Sequence, residues 1–135
     1  MNHYMEKEKV LKCWVIFGGI VEILLGPMFL FLDSSMKLMS IMTFPLFNQV
    51  AGAFVLCYGI LLLWAALEME NRAIIPFLNV VIRIIVVSFS IAGISTTPES
   101  FMILLIPAMI FDVLWALFTI ILLFKCGYLS KNIIK

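Results

Sequence analysis

Three ionisable residues stand inside long apolar stretches: Glu22 in "GGIVEILLG", Arg83 in "NVVIRIIVV" and Asp112 in "AMIFDVLWA". A charged side chain at the centre of a bilayer costs at least about 2.5–3.5 kcal/mol on insertion scales, so three of them point to mutual compensation. They lie about twelve, ten and eleven residues into their stretches, roughly 15–18 Å at the helical rise, which places them at one level. Two carboxylates face one guanidinium, leaving one acid in surplus. An acid beside a fixed cation is the material of a proton relay or a ligand anchor. The same residues would also serve as an ion pair that only fixes helix register. Arg83 with Asp112 is the first-choice pair, because their segments share the shortest outer link; the alternative is one guanidinium shared by both acids.

Other polar residues extend this level. Asn79 stands four residues before Arg83 and so shares its helix face. Asn48 and Gln49, near the outer mouth of the second stretch, are candidates for contacting a polar headgroup, or for satisfying nearby backbone. Small residues mark the packing faces: Gly18, Gly19 and Gly26 around Glu22, and Gly52 and Gly59 in the second stretch. In lipid such residues draw helices together, because hydrocarbon gives no hydrophobic drive to association. Spacings of four put Gly18, Glu22 and Gly26 on one face, and Ala108, Asp112 and Ala116 on another.

The elements that carry these residues follow from composition. The chain has 135 residues, 64% hydrophobic and only 13% charged, against about half and a quarter in soluble domains. Four apolar segments, 10–32, 46–67, 73–95 and 101–124, are each long enough to cross a ~30 Å hydrocarbon core. The first has the basic start "KEKVLK" but contains Glu22 and precedes no small-residue cleavage site, so it reads as a retained helix. Short links, Glu68–Arg72 and Ser95–Ser100, predict an all-α, up-down four-helix membrane bundle in a single domain. The longer link, 33–45, reads either as a short interfacial helix or as a methionine-rich loop. Pro27 and Pro107 are expected to kink their helices, Pro27 alternatively to end the first one early.

Seven Lys or Arg residues fall on the side of the termini and one, Lys37, on the other. That asymmetry predicts cytoplasmic termini in a multi-pass protein of the cell membrane. Trp14, Trp64 and Tyr128 read as an aromatic belt on that side, Trp115 as packing, and Cys57 as a small core filler. Cys13 and Cys126 lie near one membrane face, where acylation or redox pairing is conceivable. Glu68, Glu70 and Arg72 read as a solvated loop.

Nothing marks nucleic acid as a partner: net charge is +1 and no basic patch alternates with aromatics. His3 is the single histidine and the three cysteines form no CxxC, so no metal or other cofactor is expected.

The chain resembles small four-span membrane proteins of the BphX-like and DoxX-like kind from Trp14 to Leu123. The likeness rests on "FGGIVEILLGP", "NQVAGAFVLCYGILLLWAA", Arg83 and Asp112. It implies a four-helix bundle with a closed polar interior. Some DoxX-like proteins partner quinone-linked or thiol redox systems, which the missing CxxC does not favour here. Three functions follow in order. The first is binding or transport of a small amphiphilic or polar ligand, or of protons, at Glu22, Arg83 and Asp112, with lipid around it and a homo-oligomer admissible. The second is a structural or accessory subunit of a membrane complex. The third is a proton-transfer enzyme using Glu22 and Asp112, ranked last because no Ser–His or Cys–His pair is available.

Overall fold

The computed structural model describes residues 2–38 and 44–131. Its elements are α1 (Asn2–Leu38), α2 (Pro45–Leu67), α3 (Met69–Arg72), α4 (Ile74–Ala92), a 3-10 turn (Ile94–Thr96), α5 (Glu99–Lys125) and α6 (Tyr128–Lys131). Four of these helices are long and apolar enough to cross a membrane: they correspond to Glu6–Leu38, Pro45–Leu67, Ile74–Ala92 and Phe101–Lys125. The exteriors agree with that solvent. Phe31, Phe89 and Ile103 are 71–75% exposed, and leaving such side chains in water forfeits about 1.5–3 kcal/mol each.

Each of the four apolar segments lies on one of these helices apart from a few end residues, and the first helix is longer than its segment. α1 has 37 residues, about 55 Å at the helical rise. It neither stops at Pro27 nor yields to a separate element at Asp33. Lys12 pairs with Glu8 at 3.0 Å and Lys37 with Asp33 at 2.9 Å, both one turn apart. These pairs support the two polar ends beyond the apolar stretch. Of the link expected as an interfacial helix or a methionine-rich loop, residues 33–38 continue α1, and residues 39–43 lie outside the described residues. α4 ends at Ala92, three residues before the expected boundary. Gly93 follows, and its carbonyl accepts from Thr96 Oγ1 and Thr97 Oγ1, both at 2.9 Å. Pro98 then leads into α5.

α1 and α2 form the tightest pair, and their glycines explain why. A Cβ on Gly19 would lie 2.9 Å from the Gly59 carbonyl oxygen, and one on Gly26 2.9 Å from that of Gly52. In the reverse direction the distances are 2.7 Å for Gly59 and 2.6 Å for Gly52. The two contacts are seven residues apart on each helix, and one pairs early α1 with late α2. That is an antiparallel seam with the heptad spacing of left-handed crossings. Backbones touch there because no side chain intervenes.

At the end shared by both termini, all four long helices close over a compact base. Leu11, Val15, Leu62, Ala66, Ala73, Leu122 and Leu123 pack there with Met69, Cys126 and Tyr128. In the Glu68–Arg72 link Glu68 and Glu70 are solvated as expected, while Met69 and Arg72 tie the link to this base. Met69 is fully buried. Arg72 donates to the Trp64 carbonyl at 2.9 Å, pairs with Glu68 at 2.8 Å and stacks 4.0 Å over the Trp64 ring. Only Trp64 of the three belt aromatics is exposed; Tyr128 is in the core and Trp14 turns inward. Cys57 is exposed on α2, not a core filler, and Cys126 is enclosed while Cys13 is exposed, which removes the basis for their pairing.

Two outcomes follow from this packing. Gly59→Ala is expected to cost about 1–3 kcal/mol through overpacking, although alanine is the better helix former. Gly93→Ala, whose Cβ would rest 3.5 Å from the nearest backbone oxygen, should stay within about 0.5 kcal/mol of the parent. Reversible unfolding in mixed micelles measures both. Burial pushes the Cys126 thiol above its usual range, with Glu8 adding to the effect and Lys7 opposing it. At neutral pH a water-soluble maleimide should therefore reach Cys126 only after unfolding, as peptide mapping would register.

Candidate functional site: a shared guanidinium beneath a cavity

Midway along the bundle three helices deliver their polar side chains to one point. Glu22 comes from α1, Asn79 and Arg83 from successive turns of α4, and Asp112 from α5. Arg83 donates through Nη1 to Asp112 Oδ1 and through Nη2 to Glu22 Oε1. Its Nε donates to Asn79 Oδ1 at 2.9 Å, and Asn79 Nδ2 donates to Glu22 Oε1 at 2.9 Å. The sharing alternative thus describes the geometry, and an exclusive Arg83–Asp112 pair does not.

The environment of the two acids differs. Glu22 is 5% exposed; its Oε1 receives two donors, whereas Oε2 is enclosed without a hydrogen-bond partner among the described residues. The Asp112 side chain retains 20% of its accessible surface. The acceptor capacity of the carboxylates therefore exceeds the donors that reach them. Among the described residues, no three or more His, Cys, Asp or Glu side chains gather as a metal box.

Aromatic rings seal the cluster toward the base. The Arg83 guanidinium lies 5.3 Å from the Trp115 ring centroid and 5.7 Å from that of Phe111, within cation–π range. Trp115 stacks on Trp14 at 4.1 Å, and Trp14 Nε1 donates to Thr119 Oγ1 at 2.9 Å. A Trp with its N–H satisfied inside the protein is a packing element, not an interfacial anchor. Gly18 makes room for this stack, because a Cβ there would collide with the Trp115 ring.

On the other side the cluster borders a cavity of about 580 Å³. All four long helices line it: Glu22, Leu25 and Phe29; Phe54, Val55 and Tyr58; Asn79, Ile82, Arg83 and Val86; Ala108, Phe111 and Asp112. Polar groups are confined to one end, and carbon walls extend away from the base. Arg83 and Asp112 also border a smaller groove of about 160 Å³ between α4 and α5. The pair therefore stands between the two spaces.

Of the residues expected at the site, Glu22, Asn79, Arg83 and Asp112 come together. Asn48 and Gln49 do not join them. Gln49 is exposed, and Asn48 is half-buried with its Nδ2 enclosed and unpartnered among the described residues. The reason for Asn48 is axial: it shares the flank of Val55, a cavity residue, but stands seven residues, about 10 Å, farther from the cluster. For Gln49 it is rotational, since one residue on turns it about 100° away from that flank. Gly19 and Gly26 face α2, whereas Gly18 and Glu22 face the interior. Tyr58, Phe29 and Phe54 escape a reading based on charge. The one available signal is that Tyr58 is the only tyrosine of the three within an apolar span.

Arg83→Met would leave two buried carboxylates without their cation and is expected to destabilise by about 3–5 kcal/mol. Glu22→Gln keeps an acceptor for Asn79 and Arg83 and should cost about 1 kcal/mol. Combining Arg83→Met with Glu22→Gln and Asp112→Asn should recover most of the loss. Unfolding free energies of the four proteins test the shared role directly.

Compared with protein-family models, with curated proteins and with solved structures, the chain matches none.

Proposed function

We propose that this chain is a multi-pass membrane protein that binds, and in doing so carries or presents, a small amphiphilic or polar molecule inside its four-helix bundle. The single observation behind this reading is the cavity of about 580 Å³ at which all four spans converge. Ligand pockets commonly occupy about 300–1,000 Å³, with apolar walls and a few convergent polar groups. Glu22, Arg83, Asp112 and Asn79 supply the polar end, and the aromatic floor closes it toward the base. Asn48 and Gln49 then serve only the approach from the far mouth.

The Lys and Arg asymmetry supports a cytoplasmic base, with the cavity directed toward the opposite side of the cell membrane. The resemblance to BphX-like and DoxX-like proteins is compatible with this arrangement and adds no substrate.

One observation favours a second reading, a structural or accessory subunit. Arg83 spends its Nε, Nη1 and Nη2 on protein partners, as a register-fixing pair would. Under that reading the protein purifies with a defined membrane partner, and the cavity is filled by lipid chains alone.

Native mass spectrometry of protein extracted in mild detergent separates the two. The binding reading expects a discrete small molecule on the wild type. It also expects release of that molecule from Ala108→Phe, which places a ring at the cavity wall, with unfolding stability retained. A wild type that carries no such molecule but retains a stoichiometric partner protein establishes the accessory role instead.

A further inference from the structure

The cluster has a chemical polarity that specifies what its ligand must bring. Two carboxylates and one guanidinium give the fully ionised site one net negative charge. Each donor nitrogen of the cluster already has a protein acceptor: Arg83 Nη2 and Asn79 Nδ2 direct N–H groups at Glu22 Oε1, Arg83 Nη1 directs one at Asp112 Oδ1, and Arg83 Nε is held by Asn79. What remains open is acceptor capacity: among the described residues Glu22 Oε2 is enclosed with no partner, and Asp112 keeps accessible surface beside the cavity. A buried carboxylate oxygen left unmatched costs more than a neutral one, so a group that supplies both a proton to share and a positive charge gains most there.

The walls describe the remainder of the molecule. Beyond the cluster the cavity is bounded by Leu25, Phe29, Phe54, Val55, Val86 and Ala108. Phe29 stands seven residues beyond Glu22 on α1, about 10 Å along the helix. Phe111 and Tyr58 line the cavity with the charged cluster, and aromatic rings favour a cation over an anion.

We infer that the cavity takes an amphiphile with a protonated amine head. Its N–H groups donate to Glu22 and Asp112, and its apolar body of about 10 Å lies between Phe29 and Phe54. This rests on the cavity being a binding site. An anionic head is rejected, because it would meet two carboxylates that already outnumber the one guanidinium they share. A quaternary ammonium has the charge but no N–H and leaves Glu22 Oε2 unmatched.

The test uses the whole protein in lipid nanodiscs at neutral pH and four probes with one chain: octylammonium, octyltrimethylammonium, octanol and octanoate. Retention is measured by equilibrium dialysis against empty nanodiscs, and tryptophan fluorescence, to which Trp115 contributes beside Arg83, reports occupancy. Octylammonium is expected to bind at least about ten-fold tighter than octyltrimethylammonium or octanol, the factor that a loss of about 1.4 kcal/mol of charge-assisted hydrogen bonding implies. Octanoate is expected to show no retention above the empty disc. In Glu22→Gln, octylammonium should fall to the level of octanol. Equal binding of all four heads, or preference for octanoate or octyltrimethylammonium, overturns the amine assignment while leaving a binding cavity in place. Absence of protein-dependent retention for every probe overturns both. The head-group series on the wild type decides the matter even if Glu22→Gln fails to fold.

Discussion

One guanidinium serves two carboxylates that reach it from different helices. Without Arg83, Glu22 and Asp112 would stand unpaired in an apolar interior, and without either acid Arg83 would lose half of its compensation. Such a site cannot be assembled piecemeal, since partial satisfaction costs more than an apolar core. Everything else in the bundle is consistent with meeting that requirement. α1 must hold Glu22 at the level of α4's third turn, and α5 must present Asp112 from the opposite direction.

The bundle answers with two antiparallel hairpins joined by different physics. Within the α1–α2 hairpin, backbone meets backbone along the Gly19–Gly59 and Gly26–Gly52 contacts, which suits a solvent that offers no hydrophobic drive. Between the hairpins the bonds are polar or aromatic. Glu22 reaches Arg83 and Asn79, and Trp14 stacks on Trp115 while donating to Thr119. The base is filled by aliphatic packing, and above the cluster the side chains no longer fill the interior. The cavity is the result. Its position follows from where packing ends, and its polarity from what the cluster leaves unsatisfied. Pro107, adjacent to the cavity residue Ala108, removes a backbone donor from α5 at that point.

Much of this was legible in the residues. Hydrophobic length located α2, α4 and α5 to within three residues, because crossing lipid leaves little freedom in helix length or backbone pairing. The common level of Glu22, Arg83 and Asp112 followed from counting residues, since helical rise is fixed. Asn79 followed from its spacing of four. The ends of α1 were less legible, because i,i+4 ion pairs and a tolerated Pro27 carried the helix past the apolar segment in both directions.

By itself, then, the sequence determined the class of the protein, the number of its spans and the level of its charges, all consequences of solvent and helix geometry. Only the tertiary structure decided which way each helix turns. Gly18, Glu22 and Gly26 share a spacing of four, yet Gly26 packs on α2 while Gly18 yields to Trp115 and Glu22 enters the interior. Small residues and polar residues both leave the lipid face, and periodicity gives their angle around the helix but not which neighbour they meet. That choice is made by side-chain volume: glycine where two backbones touch, a Trp pair where the hairpins meet, and a single arginine where two acids converge.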